Sequence, residues 1–248
     1  MNRTSINGLE ICYRVTEGNE PLTVFVHGAG GSSGVWSKQQ DGLDGLVKTV
    51  AIDLPGHGFS SGNAFSDITD YAKLIANFIP ETKPFVIVGH SMGGAIAMEL
   101  SLTFPNRLLG MVLVCTGAKL KVDPNILESL TLGKVPTGML ERLFGDSYRY
   151  DTMQKIIGEM NKVSPHVYQA DFLACNKFNR VNDLRRINIP VQIIAGEEDI
   201  MTPLKFAEFL NQNISNSKLV TIKGAGHMCM LEKPHEVTNA ILDFLKNL

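Results

Sequence analysis

Phe85-Val86-Ile87-Val88-Gly89-His90-Ser91-Met92-Gly93-Gly94-Ala95-Ile96-Ala97-Met98-Glu99-Leu100 is the stretch that decides the fold. Its first four residues form a short apolar run, which predicts a buried strand. Its last six read as a helix that is apolar nearly all round. Between them lies Gly-x-Ser-x-Gly. A strand, a sharp turn and a helix form the setting in which this pattern makes a nucleophile elbow. The backbone doubles back so tightly there that positions two before and two after the serine must be nearly free of side chain. Gly89 and Gly93 meet that demand, and Gly94 leaves room for the helix to pack against the strand. In a chain with 23 glycines the five-residue match carries little weight alone, so the reading depends on its partners.

Working outward, similar short apolar runs recur. Leu22–Val26 leads into His27-Gly28, Val47–Ile52 into Asp53, and Leu109–Val114 into Cys115-Thr116-Gly117. Pro190–Ala195 leads into Gly196, and Leu219–Ile222 into Lys223-Gly224. Continuous apolar strands of this length are buried on both faces, as in parallel sheets. Helical patterns over Ile68–Phe78, Ala95–Phe104, Leu204–Leu210 and Val237–Leu248 intervene. The predicted fold class is therefore α/β, a mostly parallel central sheet flanked by helices, with functional groups at the carboxyl ends of the strands. Leu9–Val15 alternates instead and predicts a half-exposed strand after an Asn7-Gly8 turn. Between Gly117 and Asn188 no strand pattern appears. Amphipathic pieces at 126–132, 139–144, 152–160 and 166–178 predict an all-helical insertion. The expected division is a core of residues 1–117 and 189–248 with a helical cap at 118–188, the other reading being an ordinary long crossover.

Composition narrows the functional classes. The chain has 248 residues, 44% of them hydrophobic, and a net charge of -2 from 23 basic and 25 acidic residues. No basic tract suggests nucleic acid, and no apolar run reaches the length of a membrane span. The opening Met1-Asn2-Arg3-Thr4-Ser5 is polar, unlike a signal peptide. Cys12, Cys115, Cys175 and Cys229 are scattered without metal-ligand spacing, which suits reduced thiols in a cytoplasmic protein. The expected partner is a small molecule, with neither nucleic acid nor membrane.

A serine hydroxyl needs a base, and the base needs an orienting carboxylate. Of the six histidines, His227 stands out. It follows a buried strand in the glycine-flanked loop Lys223-Gly224-Ala225-Gly226-His227-Met228, at the same end of the sheet as Ser91. Three carboxylates compete as the acid in Gly196-Glu197-Glu198-Asp199-Ile200-Met201-Thr202-Pro203. Asp199 lies deepest in the turn, before a helix expected to start at Pro203, while Glu197 and Glu198 are expected to face solvent. The developing oxyanion needs rigid N–H donors. The predicted donors are the backbone N–H groups of Met92 and of Ala29, the latter in the glycine-rich loop His27-Gly28-Ala29-Gly30-Gly31. That loop lacks the endings of a phosphate cradle.

These segments, with Asp53-Leu54-Pro55-Gly56-His57-Gly58-Phe59-Ser60, occur in an order that resembles a capped α/β-hydrolase over nearly the whole chain. The resemblance implies the chain order serine, acid, histidine, and no cofactor or metal. It implies that His57 is structural. The alternative acid position of this fold holds Cys115-Thr116-Gly117, which favours Asp199. Asp171-Phe172 with Cys175-Asn176 is similar to a cap-exit pattern of carboxylesterase-like members. The expected activity is hydrolysis of a small carboxylic ester through Ser91, Asp199 and His227 and an acyl-enzyme. Carbon–carbon bond hydrolysis, or lyase chemistry without a cofactor, through the same triad remains open. A small-molecule receptor of the same fold is a third reading. Trp36, Met139, Phe144, Phe172, Met201 and Met228 are the expected substrate-binding residues, each with core packing as the alternative.

Overall fold

In the computed structural model, which describes residues 1–136, 138–146 and 148–248, one sheet of eight strands runs through the molecule. In chain order the strands and helices are β1 (Asn2–Ile6), β2 (Leu9–Thr16), β3 (Asn19–Val26), α1 (Ser37–Leu43), β4 (Val47–Ile52), α2 (Ile68–Phe78), β5 (Phe85–His90) and α3 (Met92–Thr103). There follow β6 (Leu108–Val114), α4 (Pro124–Thr131), α5 (Tyr150–Met160), α6 (Pro165–Lys177), β7 (Val191–Gly196), α7 (Leu204–Asn213), β8 (Ser217–Ile222), α8 (Cys229–Glu232) and α9 (Pro234–Leu245). The sheet order is β1-β2-β4-β3-β5-β6-β7-β8. From β4 to β8 every pairing is parallel, and β1-β2 and β2-β4 are antiparallel. The carboxyl ends of β3 to β8 therefore share one edge, and the loops that carry Gly28, Ser91, Asp199 and His227 leave from it.

Alternation along each strand divides the core between two faces. Val24, Val26, Ile87 and Leu113 meet α2, α3 and α7 on one face. Phe25, Val86, Val88, Val112 and Val114 meet the helices α1 and α9 on the other. Strands with both faces covered need apolar side chains at every position, which is why their sequences read as unbroken runs.

The predicted strands are present within one to three residues at their ends. Three elements escaped the sequence reading: β1, α1 and the short α8. β1 pairs with β2 as an edge hairpin across the Asn7-Gly8 turn, where Asn7 has φ 51° and Gly8 φ 82°. α1 is polar in sequence, yet Gln39 and Gln40 are buried, and their amide groups donate to Met230 O and Thr49 Oγ1. Two expectations need correction. The piece at 139–144 forms only a short 3-10 turn over Glu141–Leu143. Pro203 precedes α7 as an extended residue with ψ 152°, so the helix starts at Leu204.

Candidate active site

Ser91 lies between β5 and α3 with φ 52° and ψ -113°, a conformation that costs free energy for any residue with a Cβ. The surroundings hold it there. Ser91 N–H donates to Val114 O at 2.9 Å, and Ser91 O accepts from Thr116 Oγ1 at 2.8 Å and Gly94 N at 2.9 Å. A Cβ on Gly89 would run into the Gly93 carbonyl, and one on Gly93 into the Val26 carbonyl, so the close approach of β5, α3 and β3 requires both glycines. The tight turn leaves Ser91 partly exposed while its neighbours His90 and Met92 are buried.

Asp199 and His227 form a buried pair. His227 Nδ1 donates to Asp199 Oδ2 at 2.8 Å, and the side chains are 5% and 0% exposed. Asp199 Oδ1 accepts the N–H groups of Met201 and Thr202 at 2.8 and 2.9 Å, and Oδ2 accepts Thr202 Oγ1–H at 2.7 Å. Burial pushes this carboxyl up. The neighbouring His227 and the bonds from His227 and Thr202 outweigh burial and hold it at about 2, so it is ionised at neutral pH. Its carboxylate fixes the His227 tautomer, with the proton on Nδ1 and the lone pair on Nε2.

His90, next to the serine, ties the His227 loop to the turn at Ser91. Its Nε2 lies 2.9 Å from His227 O, and since a carbonyl only accepts, that nitrogen carries the proton. The two rings are 4.7 Å apart. Burial and the nearby His227 hold His90 down at about 3, so it is neutral and adds no charge beside His227. The loop after β3 packs on the same spot: a Cβ on Gly28 would lie 2.8 Å from His90 Nδ1 and 3.1 Å from Ser91 Cβ. Gly28 O accepts from Gly31 N at 3.1 Å and from His27 Nδ1 at 2.8 Å. His27 Nε2 accepts Leu54 N–H at 3.1 Å. Burial and the adjacent His57 hold His27 at about 3, again neutral. Met92 is the first residue of α3, so its N–H has no intrahelical acceptor and lies at the positive end of the helix.

The inserted segment meets both loops. Met228 N–H donates to Leu143 O at 3.0 Å. Glu232 accepts from Gly145 N at 2.9 Å and Gly226 N at 3.0 Å, joining the segment to the histidine loop. Glu198, expected at the surface, is half-buried and accepts Asp146 N–H at 2.9 Å; Glu197 is exposed and accepts from Gly224 N at 3.0 Å.

The expected substrate-binding residues divide. Met139 and Met201 line a cavity of about 90 Å³ with Ile126, Pro136, Gly138 and Arg142. Phe144 and Met228 are buried, and Phe172, half-buried, stacks 6.2 Å from Tyr168. Trp36 is fully buried against Phe25 at 5.1 Å, with the His90 ring at 6.5 Å, which makes it a packing residue beneath the elbow. All four cysteines are free and buried. Among the described residues, Cys115, Asp199 and His227 place possible metal-ligand atoms within 4.8 Å of one another. Those atoms are engaged: Asp199 with His227, and Cys115 with Cys229 at 3.5 Å, a contact that with burial pushes the Cys115 thiol up. No helix among the described residues is long and apolar enough to cross a membrane.

Sequence reasoning missed Thr202 as a partner of Asp199 and Glu232 as a partner of the histidine loop. Thr202 had a signal, since a hydroxyl three residues after Asp199 can bond back to it across a turn. Glu232 had none, because its partners come from two distant loops.

The sequence profile of the alpha/beta hydrolase family matches residues 23–240. A monoacylglycerol lipase of Mus musculus is 27% identical, over 96% of this chain and 80% of the relative. A pimeloyl-[acyl-carrier protein] methyl ester esterase of Nitrosomonas europaea is 26% identical, over 89% of this chain and 94% of the relative. A solved structure of a thermophilic esterase superposes with a TM-score of 0.83 at 33% identity, over 99% of this chain and 97% of that one.

Proposed function

The chain belongs to the alpha/beta hydrolase family, and on that premise we propose that it hydrolyses a small carboxylic ester through Ser91, His227 and Asp199. One observation carries the reading. A serine at positive φ opens a helix, and a buried His–Asp pair bonded at 2.8 Å lies against the histidine beside it.

The steps follow from the groups in place. His227 Nε2 takes the Ser91 Oγ proton as the oxygen attacks the ester carbonyl. The N–H groups of Ala29 and Met92 hold the oxyanion. The tetrahedral species collapses as His227 gives its proton to the departing alkoxide oxygen, leaving an acyl-serine. A water then repeats the sequence with His227 as base, and the carboxylic acid leaves. Asp199 stays ionised throughout and stabilises the imidazolium. Residues 118–188 act as a cap over the serine. The cavity between Met139 and Met201 receives an apolar part of the substrate, and Phe144, Phe172 and Met228 are further substrate-binding residues of this reading. This is the type of bond named for the lipase and esterase relatives, which supports ester chemistry over carbon–carbon cleavage.

The test is turnover of a short p-nitrophenyl ester with stoichiometric fluorophosphonate labelling. Ser91→Ala is expected to lose both while melting as the wild type does, and His227→Ala to lose labelling. Retained turnover in a folded Ser91→Ala protein sinks the proposal.

A further inference from the structure

A buried polar cluster outside the proposed triad centres on Asp171 of α6. Its side chain and that of His57 are fully buried and bonded at 2.8 Å through Oδ2 and Nε2. Asp171 Oδ2 also accepts Gly30 N–H at 2.8 Å, and Oδ1 accepts Tyr71 Oη–H at 2.7 Å. His57 Nδ1 faces Pro55 O at 3.0 Å, so both ring nitrogens point at acceptors and the imidazole carries two protons. Burial pushes His57 down, but the Asp171 carboxylate outweighs it and lifts the ring above its usual value. A buried ion pair is weak evidence for stability. What this one holds is more informative.

Gly30 follows Ala29, the proposed oxyanion donor. The Ala29 N–H shares a rigid peptide plane with the Gly28 carbonyl, which His27 Nδ1 and Gly31 N–H grip from behind. The next plane carries Gly30 N–H, gripped by Asp171. Ala29 is thus clamped through the peptide planes on either side. Gly30 has φ +62°, and a Cβ there would run into the Tyr168 ring of α6, so the helix seats directly on the loop.

We infer that Asp171 is a positioning residue that pins the Gly30 peptide and so keeps the Ala29 N–H aimed at the reacting carbonyl. The inserted segment then completes the oxyanion hole as well as covering it. This rests on the serine-hydrolase reading.

Asp171→Asn keeps an oxygen for Gly30 and His57 and turns its amide toward Tyr71 Oη, whereas Asp171→Ala leaves Gly30 without an acceptor. The measurements are kcat and KM on a p-nitrophenyl ester, affinity for a trifluoromethyl ketone that forms a tetrahedral adduct, and exchange of the Gly30 amide by NMR. For Asp171→Ala, kcat and ketone affinity are expected to fall about 10- to 100-fold with KM nearly unchanged, and Gly30 exchange to accelerate. Asp171→Asn is expected to stay within about threefold of wild type with Gly30 protected, part of the donor effect being retained. Tyr71→Phe, which spares Oδ2, is the packing control and is expected to behave like Asp171→Asn. Unchanged kcat in Asp171→Ala, or an equal loss in Tyr71→Phe, overturns the inference. If the alanine variant does not fold, a folded Asp171→Asn protein that protects Gly30 but has lost ketone affinity overturns it. A wild-type protein without Ser91-dependent turnover instead removes the hydrolase reading itself.

Discussion

Ser91 occupies a backbone conformation that glycine adopts freely and serine does not, with φ 52° and ψ -113°. Hydrogen bonds from Ser91 N–H to Val114 O and from Thr116 Oγ1 to Ser91 O keep it there, so part of the stability of the fold offsets this strain. The consequence is measurable. Ser91→Gly and Ser91→Ala both remove the proposed nucleophile, but only glycine relieves the strain. Ser91→Gly is expected to be more stable than Ser91→Ala by about 1 kcal/mol, although glycine gains more freedom on unfolding. Urea titration of the two variants checks this, and a Ser91→Gly protein less stable than Ser91→Ala by roughly 0.5–1 kcal/mol, the cost of glycine's freedom alone, would mean that the elbow stores no strain. The serine itself was legible in the sequence because its neighbours must be small. Thr202 was harder to see because it acts through another residue, bonding the Asp199 carboxylate from three positions away.

At the scale of elements, α3 and its glycines set how closely the elbow approaches β3. A Cβ on Gly93 would meet the Val26 and His27 carbonyls, both backbone, so the helix or the strand must move. Gly93→Ala is expected to cost about 2 kcal/mol, as overpacking does, and to lower kcat because the loop carrying Ala29 begins at His27. Gly158, inside α5, has open space where a Cβ would stand, with nothing within 4 Å. Gly158→Ala is expected to stabilise by roughly 0.5–1 kcal/mol through helix propensity and to leave kcat unchanged. Thermal melts and ester assays on the pair separate close approach from propensity; a neutral Gly93→Ala would refute the steric account. The same distinction explains which elements could be read from sequence. Buried parallel strands carry unbroken apolar runs, so β3 to β7 stood out. β1 is held by its ladder to β2 rather than by burial of its side chains, so Asn2-Arg3-Thr4-Ser5 left no periodic signal. α1 buries two glutamines whose acceptors, the Met230 carbonyl and the Thr49 hydroxyl, lie on other elements, so its inward face looked polar.

At the scale of the molecule, the parallel half of the sheet gathers a loop after β3, an elbow after β5, an acid after β7 and a base after β8 at one edge. Each strand end was legible, but the contacts that lock them together were not. Glu232, Glu198 and Asp171 bond loops that are distant in sequence; no local pattern marks the two glutamates, and the pattern around Asp171 does not name its partners. One of the locks links global stability to pH. Asp199 has a depressed carboxyl value of about 2, against an ordinary value near 4 in the unfolded chain. A group of this kind stabilises the native state above the unfolded value and loses that contribution as pH falls through the folded one. The contribution is about 2 kcal/mol, fully present above pH ~5 and lost between pH ~4 and ~2. Asp199→Asn removes this titration while keeping the shape of the side chain. The difference in unfolding free energy between wild type and Asp199→Asn is therefore expected to shift toward the variant by about 2 kcal/mol as pH falls from ~5 to ~2. Denaturant titrations across that range measure it. A difference that stays flat down to pH ~2 would mean that the Asp199–His227 pair does not hold the carboxylate in its charged form, and the ionised acid that the base requires would be lost with it.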